Sequence, residues 1–209
     1  MPTQGEPTAT LLLRHGQTLM SVQKRYAGRS DVPLTDVGVQ QAAAAAKRLA
    51  SAGLGVIVTS PLLRAVQTAG EVAAVTGTPV VIDDGFAEAD FGAWDGLTFA
   101  EVRERWPAEV TAWLADPQVA PPGGESFTDV CERVTRALDR VLAVRERRKV
   151  LIVSHVTPIK TLVAAALGAP PAALYRMHLD VAALCQIDWY ADGPAVLRSF
   201  NDTGHLPAE

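Results

Sequence analysis

The sequence predicts an α/β fold, a three-layer α/β/α sandwich built on a mostly parallel mixed sheet, with a small helical cap insertion. Short apolar runs rich in β-branched residues alternate with longer segments that carry helical periodicity and recognisable helix starts. The chain of 209 residues, 48% of them hydrophobic, is long enough for one domain with a substantial core. We therefore expect a single domain over 10–205, with tails or linkers at 1–9 and 206–209.

Six strands are predicted from runs of apolar residues. In chain order they are Thr10–Leu13, Val56–Thr59, Pro79–Ile82, Val150–Val153, Leu184–Tyr190 and Ala195–Phe200. The first four are short and almost uniformly apolar, which is typical of parallel strands that are buried on both faces. The last two are joined by Ala-Asp-Gly-Pro and predict a hairpin, so the sheet should be mixed.

Three helices that cover the sheet are predicted over about 36–52, 61–76 and 127–145. Thr35 is suited to cap the first of them. Ser60 is a residue type favoured as a helix cap, and the proline after it is favoured at the first helical position, so the pair predicts that the second helix begins at residue 61. Ser126 opens a sequence typical of a capping box, and an apolar face follows it.

Residues 98–125 depart from this alternation. Trp106 and Trp113 lie among charged residues there, and a Pro-Pro-Gly-Gly loop follows at 121–124. One interpretation is an inserted helical cap over one end of the sheet. The alternative is a peripheral helix pair that makes no contact with ligand, and the sequence leaves both open.

Composition argues against several classes of protein. The net charge of −4 gives no basic surface for nucleic acid, and no apolar run approaches the roughly 20 residues of a membrane-spanning helix. The first ten residues lack the basic start and apolar stretch of a secretory signal, so we expect a cytoplasmic protein. Cys131 and Cys185 are expected to be small buried residues without a disulfide. The sequence has neither the cysteine and histidine spacing of a metal site nor a heptad pattern that would predict an oligomer.

Chemically active side chains follow the four predicted parallel strands. Ligands of open α/β sheets bind beyond the carboxyl ends of the strands. Those positions hold Arg14, His15, Ser60, Arg64, Glu88 and His155. Two predicted helix N-termini, near Pro61 and Thr157, would add backbone N–H groups. Guanidinium groups bind phosphate oxygens in a planar geometry, so the sequence predicts a phosphate site at this edge.

Six segments, in this order, resemble the histidine phosphatase superfamily, whose fold is phosphoglycerate mutase-like. They are LLLRHGQT at 11–18, GRSDVPLTDVGVQQA at 28–42, VTSPLLRAVQTA at 58–69, EADFGAWDG at 88–96, PGGESF at 122–127 and VSHVTPIK at 153–160. Because they span nearly the whole chain, the combination is far more specific than an Arg-His-Gly triplet. Within the superfamily the chain looks most like the α-ribazole phosphatases and acid phosphatases.

The resemblance implies roles for five residues. His15 matches the nucleophile that becomes phosphohistidine, and Glu88 matches the proton donor to the leaving oxygen. Arg14, Arg64 and His155 match the pocket around the transferred phosphoryl group. A neutral imidazole can attack phosphorus when its other nitrogen donates to a fixed acceptor, and we expect a nearby backbone carbonyl to be that acceptor. The arginines and a protonated His155 would stabilise the developing charge, so no metal and no cofactor is required.

Thr18 and Ser21 are further candidates for contact with phosphate. Thr18 belongs to the matching RHGQT run. Many relatives have Asn three residues after this threonine, whereas this chain has Ser21. A serine hydroxyl can also bind phosphate, although it is shorter than the amide that it replaces.

The sequence therefore predicts a hydrolase of small-molecule phosphomonoesters, either an acid phosphatase or an α-ribazole 5'-phosphate phosphatase. One alternative is a phosphoglycerate mutase, although the mutases carry longer insertions around a bisphosphate than this chain has room for. The other is a catalytically silent module that binds phosphoanions. The loop at 20–33 and the segment 98–125 are expected to select the leaving group.

The run LLLRHGQT followed by SVQKRY resembles in particular the phosphatase domain that actinobacteria fuse after a ribonuclease H domain. In that case residues 1–9 are the end of an interdomain linker. The phosphatase domain itself would bind neither nucleic acid nor membrane.

Overall fold

The computed structural model describes residues 6–144 and 149–207. The strands run over Thr8–Arg14 (β1), Leu54–Thr59 (β2), Val80–Ile82 (β3), Lys149–Ser154 (β4), Leu184–Trp189 (β5) and Ala195–Asp202 (β6). The α-helices run over Leu19–Val22 (α1), Asp36–Leu49 (α2), Leu63–Thr76 (α3), Phe99–Arg105 (α4), Pro107–Ala115 (α5), Phe127–Ala143 (α6) and Val156–Ala166 (α7). Short 3-10 helices lie at Asp84–Phe86, Gly92–Trp94 and Pro171–Arg176.

The strands form one sheet in the order β3-β2-β4-β1-β5-β6. Parallel ladders join β3 to β2, β2 to β4 and β4 to β1. Antiparallel ladders join β1 to β5 and β5 to β6. The mixed sheet, its four parallel strands and the terminal hairpin are therefore confirmed. Because β4 lies between β1 and β2, the carboxyl ends of these three strands meet at one edge.

Helices cover both faces of the sheet, which confirms the three layers. Leu13 and Leu151 point to one face, where they pack with Ala45 of α2. Leu12 and Ile152 point to the other face and pack with residues of α6 and α7. Adjacent residues of one strand face opposite sides, so the apolar run of β1 serves both cores.

Helix α3 begins at Leu63, so the predicted start at residue 61 was wrong by two positions. Its N-cap is Leu62, which makes no side-chain capping bond. The Ser60 hydroxyl instead accepts a 3.3 Å hydrogen bond from the Leu62 N–H and is bonded to the ring of His155. The Ser-Pro pair therefore forms the turn between strand and helix.

The other predicted helix boundaries agree to different degrees with the structure. Helix α6 begins with the expected capping box, in which Ser126 and Asp129 bond each other's backbone N–H. Its predicted end at residue 145 lies outside the described residues. Helix α2 ends at Leu49, three residues before its predicted end at 52.

Two further features bear on the classes of protein considered above. No helix in the part of the chain that the structure describes is long and apolar enough to cross a membrane. Cys131 and Cys185 are free thiols, the first half-buried and the second buried.

Candidate active site

Backbone hydrogen bonds join the segments that follow β1, β2 and β4. The His15 N–H donates to Ser154 O at 3.0 Å, and the Ser60 N–H donates to Val153 O at 3.0 Å. The hydrogen bonding between neighbouring strands thus continues past the carboxyl ends of β1, β2 and β4. As a result the rings of His15 and His155 lie with their centroids 5.1 Å apart.

The His15 ring is fixed in one orientation and one tautomer. Its Nδ1 lies 2.8 Å from Gly16 O, and because a carbonyl can only accept, Nδ1 carries the proton and Nε2 keeps its lone pair. Only 5% of the residue is exposed. Burial, followed by the charges of Arg14 and Arg64, lowers the pKa of His15 well below its ordinary value of 6.5. The ring is therefore neutral at pH 7, as a nucleophile requires.

Gly16, directly after the nucleophile candidate, packs closely against the first turn of helix α2. A Cβ at this position would lie 2.4 Å from the backbone oxygen of Gly38, so any other residue would collide with helix α2. The Gly16 N–H donates to the Thr68 hydroxyl at 3.1 Å. The carbonyl that orients His15 is therefore held by packing from α2 and α3.

His155 is fully buried and makes one side-chain hydrogen bond. Its Nε2 lies 2.7 Å from Ser60 Oγ, while its Nδ1 has no hydrogen-bond partner among the described residues. Burial, followed by the charges of Arg64, His15 and Arg14, lowers the pKa of His155 well below its ordinary value. In the ligand-free site this imidazole is neutral.

Two arginines, the partly exposed Arg14 and the fully buried Arg64, hold their guanidinium groups on backbone carbonyls. Arg14 Nη1 donates to Leu179 O at 2.6 Å. Arg64 Nη1 and Nη2 donate at 2.8–3.0 Å to the carbonyls of Ala27, Gly28 and Ser30. In both side chains Nε has no hydrogen-bond partner within 6–144 and 149–207. Burial lowers the pKa of Arg14 to about 10, against the opposing effect of Glu88 and Asp180, so the group remains charged.

Glu88 lies at the N-terminus of helix α7. Its Oε1 accepts hydrogen bonds from the N–H groups of Ala89 at 2.8 Å and Thr157 at 3.2 Å. Its Oε2 accepts from the Val156 N–H at 3.1 Å. The start of a helix favours negative charge, so α7 holds this carboxyl group in place through its first turn.

The sequence reasoning missed Arg133, which organises the loop that carries Glu88. From helix α6 it donates to the carbonyls of Gly85, Ala87 and Glu88 at 2.8–3.0 Å. It also donates to both carboxylate oxygens of Glu125, at 2.6 and 2.9 Å. Arg133 lies 45 residues from Glu88 in sequence, and its partners are mainly backbone atoms, so no local signal marks it.

A cavity of about 210 Å³ opens on these groups. Its lining includes Arg14, His15, Thr18, Ser21 and Glu88. The Ser21 hydroxyl already donates to Thr18 O at 2.8 Å, whereas the Thr18 hydroxyl accepts from the Ser21 N–H and keeps its own proton to donate. Of the two hydroxyls, only that of Thr18 is therefore ready to donate to an anion.

Arg64 and His155 do not line this cavity, because both are fully buried. The charge of Arg64 nevertheless helps to lower the pKa of His15, and the ring of His155 lies 5.1 Å from that of His15. No group of three or more His, Cys, Asp or Glu side chains in the described ranges is arranged to hold a metal ion.

The remaining wall is largely apolar, and it connects with residues 98–125. The remaining lining residues are Arg25, Tyr26, Ala27, Phe91, Val156 and Thr157. The Tyr26 ring lies 4.7 Å from that of Phe91 and 6.5 Å from that of Trp113 on α5, measured between centroids. Arg25 Nη1 donates to Glu101 on α4 at 2.8 Å. Helices α4 and α5 thus contact two residues of the cavity wall.

Known proteins resemble the chain over almost its whole length. The histidine phosphatase superfamily (branch 1) matches residues 10–203. The chain is 51% identical over 204 residues to the Mycobacterium tuberculosis protein named Bifunctional protein Rv2228c, with 97% of this chain and 56% of that protein covered. It therefore spans little more than half of that relative. It is 35% identical over 205 residues to the Probable phosphoglycerate mutase GpmB of Yersinia pestis, with 93% of each covered.

A solved structure shows the same fold. The mycobacterial glucosyl-3-phosphoglycerate phosphatase Rv2419c superposes with a TM-score of 0.86 at 32% identity, over 94% of this chain and all of that one. Family match, sequence identity and structure agree. The chain belongs to the histidine phosphatase superfamily.

Proposed function

We propose that the chain is a phosphomonoester hydrolase that transfers the phosphoryl group to His15 and then to water. The observation that carries this proposal is a set of buried nitrogens without hydrogen-bond partners among the described residues, which includes Arg14 Nε, Arg64 Nε and His155 Nδ1. A buried polar group without a partner costs about 1–3 kcal/mol. Phosphoryl oxygens beside the His15 ring would give Arg14 Nε a partner, and we propose that Arg64 Nε and His155 Nδ1, which do not line the cavity of the ligand-free protein, gain theirs when the ligand binds.

In the first step the lone pair of His15 Nε2 attacks phosphorus. The N–P bond forms while the bond between phosphorus and the leaving oxygen breaks. Arg14 and Arg64 stabilise the charge on the phosphoryl oxygens, and their existing hydrogen bonds hold them in place before substrate arrives. Glu88, as the carboxylic acid, gives its proton to the leaving oxygen, and the alcohol departs.

In the second step water attacks the phosphohistidine. The Glu88 carboxylate takes a proton from this water as its oxygen bonds to phosphorus. The N–P bond breaks, and its electron pair returns to His15 Nε2. Inorganic phosphate leaves with Glu88 again protonated. We propose that neither step needs a metal or another cofactor, because the guanidinium groups supply the positive charge.

The cavity favours hydrolysis over phosphoglycerate mutation. A mutase must hold a second anionic group of its substrate beside the transferred phosphoryl group. Among the residues that complete the cavity wall, the one further cation is Arg25, and it is already bonded to Glu101 and to Gly96 O. Tyr26 and Phe91 provide an aromatic surface instead. We infer an uncharged leaving group, as in an acid phosphatase or an α-ribazole 5'-phosphate phosphatase.

Residues 98–125 belong to this substrate site in the proposed function. Their helices support Tyr26 and Arg25, which would make them a cap that selects the leaving group. We further propose that a ribonuclease H domain precedes this domain in the full-length protein, and the relative that is nearly twice as long leaves room for one.

Trapping of a labelled phosphoenzyme tests the mechanism. The protein is mixed with a ³²P-labelled phosphomonoester and quenched in alkali, in which phosphohistidine survives. The wild type should retain label. His15→Ala should retain none. Label in His15→Ala would overturn the assignment of the nucleophile.

Steady-state kinetics test the substrate class. We expect phosphate release from p-nitrophenyl phosphate and a higher kcat/KM for α-ribazole 5'-phosphate than for 3-phosphoglycerate or glucosyl-3-phosphoglycerate. Turnover of 3-phosphoglycerate that depends on its bisphosphate primer would favour the mutase instead. Binding of phosphate without any turnover would favour the catalytically silent module.

A further inference from the structure

A turn outside the cavity contacts both Arg14 and His15. Leu179 O accepts the 2.6 Å hydrogen bond from Arg14 Nη1, and the Ala182 N–H donates to His15 O at 3.0 Å. The Arg14 N–H donates to Ala183 O at 3.1 Å. This turn, residues 179–183, thus determines where the Arg14 guanidinium lies and where the backbone of His15 lies.

A side chain from the last strand fixes the turn. Asn201 Oδ1 accepts a 2.7 Å hydrogen bond from the Asp180 N–H, and Asn201 Nδ2 donates to Asp180 Oδ2 at 2.8 Å. The oxygen and the nitrogen of the Asn201 side chain therefore both form hydrogen bonds with Asp180. Such a two-point contact sets the orientation of Asp180 as well as its position.

Strand β6 is irregular where this contact is made. Leu184 lies opposite Asp202 and Gln186 lies opposite Ser199, so β6 holds one residue more than β5 over this stretch. Asn201 lies in this bulge with φ at +54°, a left-handed conformation that asparagine tolerates better than most residues. A bulge redirects a side chain from the alternation of a regular strand. Here it accompanies the contact of Asn201 with the turn.

Ala182, in the turn, has the same left-handed backbone conformation as Asn201. Its φ is also +54°, and it is fully buried. A residue with a side chain adopts this region only where its surroundings hold it there. The turn and the strand that fixes it thus each contain one left-handed residue, and the surrounding contacts hold both residues in that conformation.

We propose that Asn201 and Asp180 are positioning residues that hold the Arg14 guanidinium on the phosphoryl site through Leu179 O. This inference rests on the proposed function of Arg14 as a phosphate-binding group. Neither residue lines the cavity that opens on His15. Burial lowers the pKa of Arg14, and the nearby Asp180 carboxylate partly opposes that shift.

The test compares the full chain with four variants. Asn201→Gly keeps a backbone that tolerates positive φ and removes both hydrogen bonds. Asn201→Asp keeps the acceptor but places a second carboxylate against Asp180. The exchange Asp180→Asn with Asn201→Asp restores a donor and an acceptor in reversed order. Ser199→Ala is the control on the same strand, because it removes a hydroxyl from β6 that takes no part in the two hydrogen bonds between Asn201 and Asp180.

Two measurements are made below the unfolding temperature of each variant: Kd for sulfate by calorimetry, and kcat/KM for p-nitrophenyl phosphate. Displacing a positioned group by about 1 Å costs roughly a hundredfold, so we expect both quantities to worsen tenfold to a hundredfold in Asn201→Gly and Asn201→Asp. The exchange should recover to within about threefold of wild type, and Ser199→Ala should stay within twofold.

Two outcomes would overturn the positioning role. One is a folded Asn201→Gly protein whose sulfate Kd and kcat/KM stay within twofold of wild type. The other, which applies even if the glycine variant does not fold, is an exchange variant no better than Asn201→Asp alone. A wild type without phosphatase activity would refute the proposed function. Because sulfate binding requires no turnover, the sulfate Kd values of the variants would still test whether Asn201 and Asp180 position Arg14.

Discussion

Substitution of Arg133 by methionine removes the group that holds the loop around Glu88 and keeps an apolar stem of similar length. The guanidinium makes five hydrogen bonds, three of them to carbonyls at or just before Glu88. Without it, these carbonyls lose their donors and the Glu125 carboxylate loses its bidentate partner. The remaining cation near Glu125 is Arg29, at 3.6 Å.

The expected loss of stability follows from burial. The side chains of Arg133 and Glu125 are only 14% and 18% exposed, so removal of one partner strands a largely buried charge. Such losses are about 3–5 kcal/mol, which for a domain of this size lowers Tm by roughly 10 °C. Arg133→Met with Glu125→Gln removes the stranded charge and should recover part of this stability. Activity should not recover, because the carbonyls beside Glu88 still lack their donors.

Two leaving groups separate an effect on Glu88 from a general loss of structure. An alkyl alkoxide must be protonated as it leaves, whereas p-nitrophenolate leaves without a proton. Misplacing a proton donor costs up to the full contribution of acid catalysis, about 10²–10⁴-fold. We therefore expect Arg133→Met to lose far more kcat/KM on glycerol phosphate than on p-nitrophenyl phosphate.

Arg140→Met is the matched control on the same helix. Arg140 pairs with Asp83, but its side chain is 57% exposed, so its loss should cost less than about 1 kcal/mol and leave the ratio of the two substrates unchanged. An equal fractional loss on both substrates in Arg133→Met would refute the view that Arg133 acts through Glu88.

Three other predictions concern the same site. Glu88→Gln should lower kcat on alkyl phosphates by about 10²–10⁴-fold and much less on p-nitrophenyl phosphate, measured by phosphate release. Gly16→Ala should lose about 1–3 kcal/mol in urea unfolding, since its Cβ would lie 2.4 Å from Gly38 O. The pKa values of His15 and His155 are lowered on folding, so the unfolded chain binds more protons, and stability complete above pH 6.5 should fall as pH drops below it. The free energy of unfolding should fall by up to about 1.4 kcal/mol per histidine per pH unit. Urea unfolding at pH 7.5 and 5.5 measures this fall, and an equal fall in the wild type and in His155→Asn would refute the prediction.

The ends of β1 and β4 could be predicted closely because the chemistry begins where the apolar run stops. Thr8–Arg14 and Lys149–Ser154 are each followed at once by a histidine. Parallel strands then bring these histidines together, since their carboxyl ends share one edge. The pattern of apolar and polar residues alone was sufficient here.

Other parts of the site could not be predicted in this way. Glu88 was expected directly beyond the third parallel strand, but a 3-10 helix at Asp84–Phe86 lies between it and β3. Arg133 binds backbone carbonyls, which leave no side-chain pattern to read. Ser60 resembled a helix cap, but its hydroxyl serves His155. Each failure occurs where a polar side chain bonds to a distant segment.

His155 shows how substrate would complete the electrostatics of the site. The resemblance to the family implies a protonated His155, whereas burial and the nearby cations lower its pKa in the ligand-free protein. A phosphate dianion beside Nδ1 opposes the effect of the nearby cations, because it introduces negative charge next to the arginines and supplies an acceptor for the proton. Substrate and proton should therefore bind together. Sulfate keeps its charge of −2 between pH 6 and 8, so any weakening of its affinity as pH rises across that range reports a group of the protein that loses a proton. A sulfate Kd that does not change with pH would show that His155 stays neutral when the anion binds, and would refute this view.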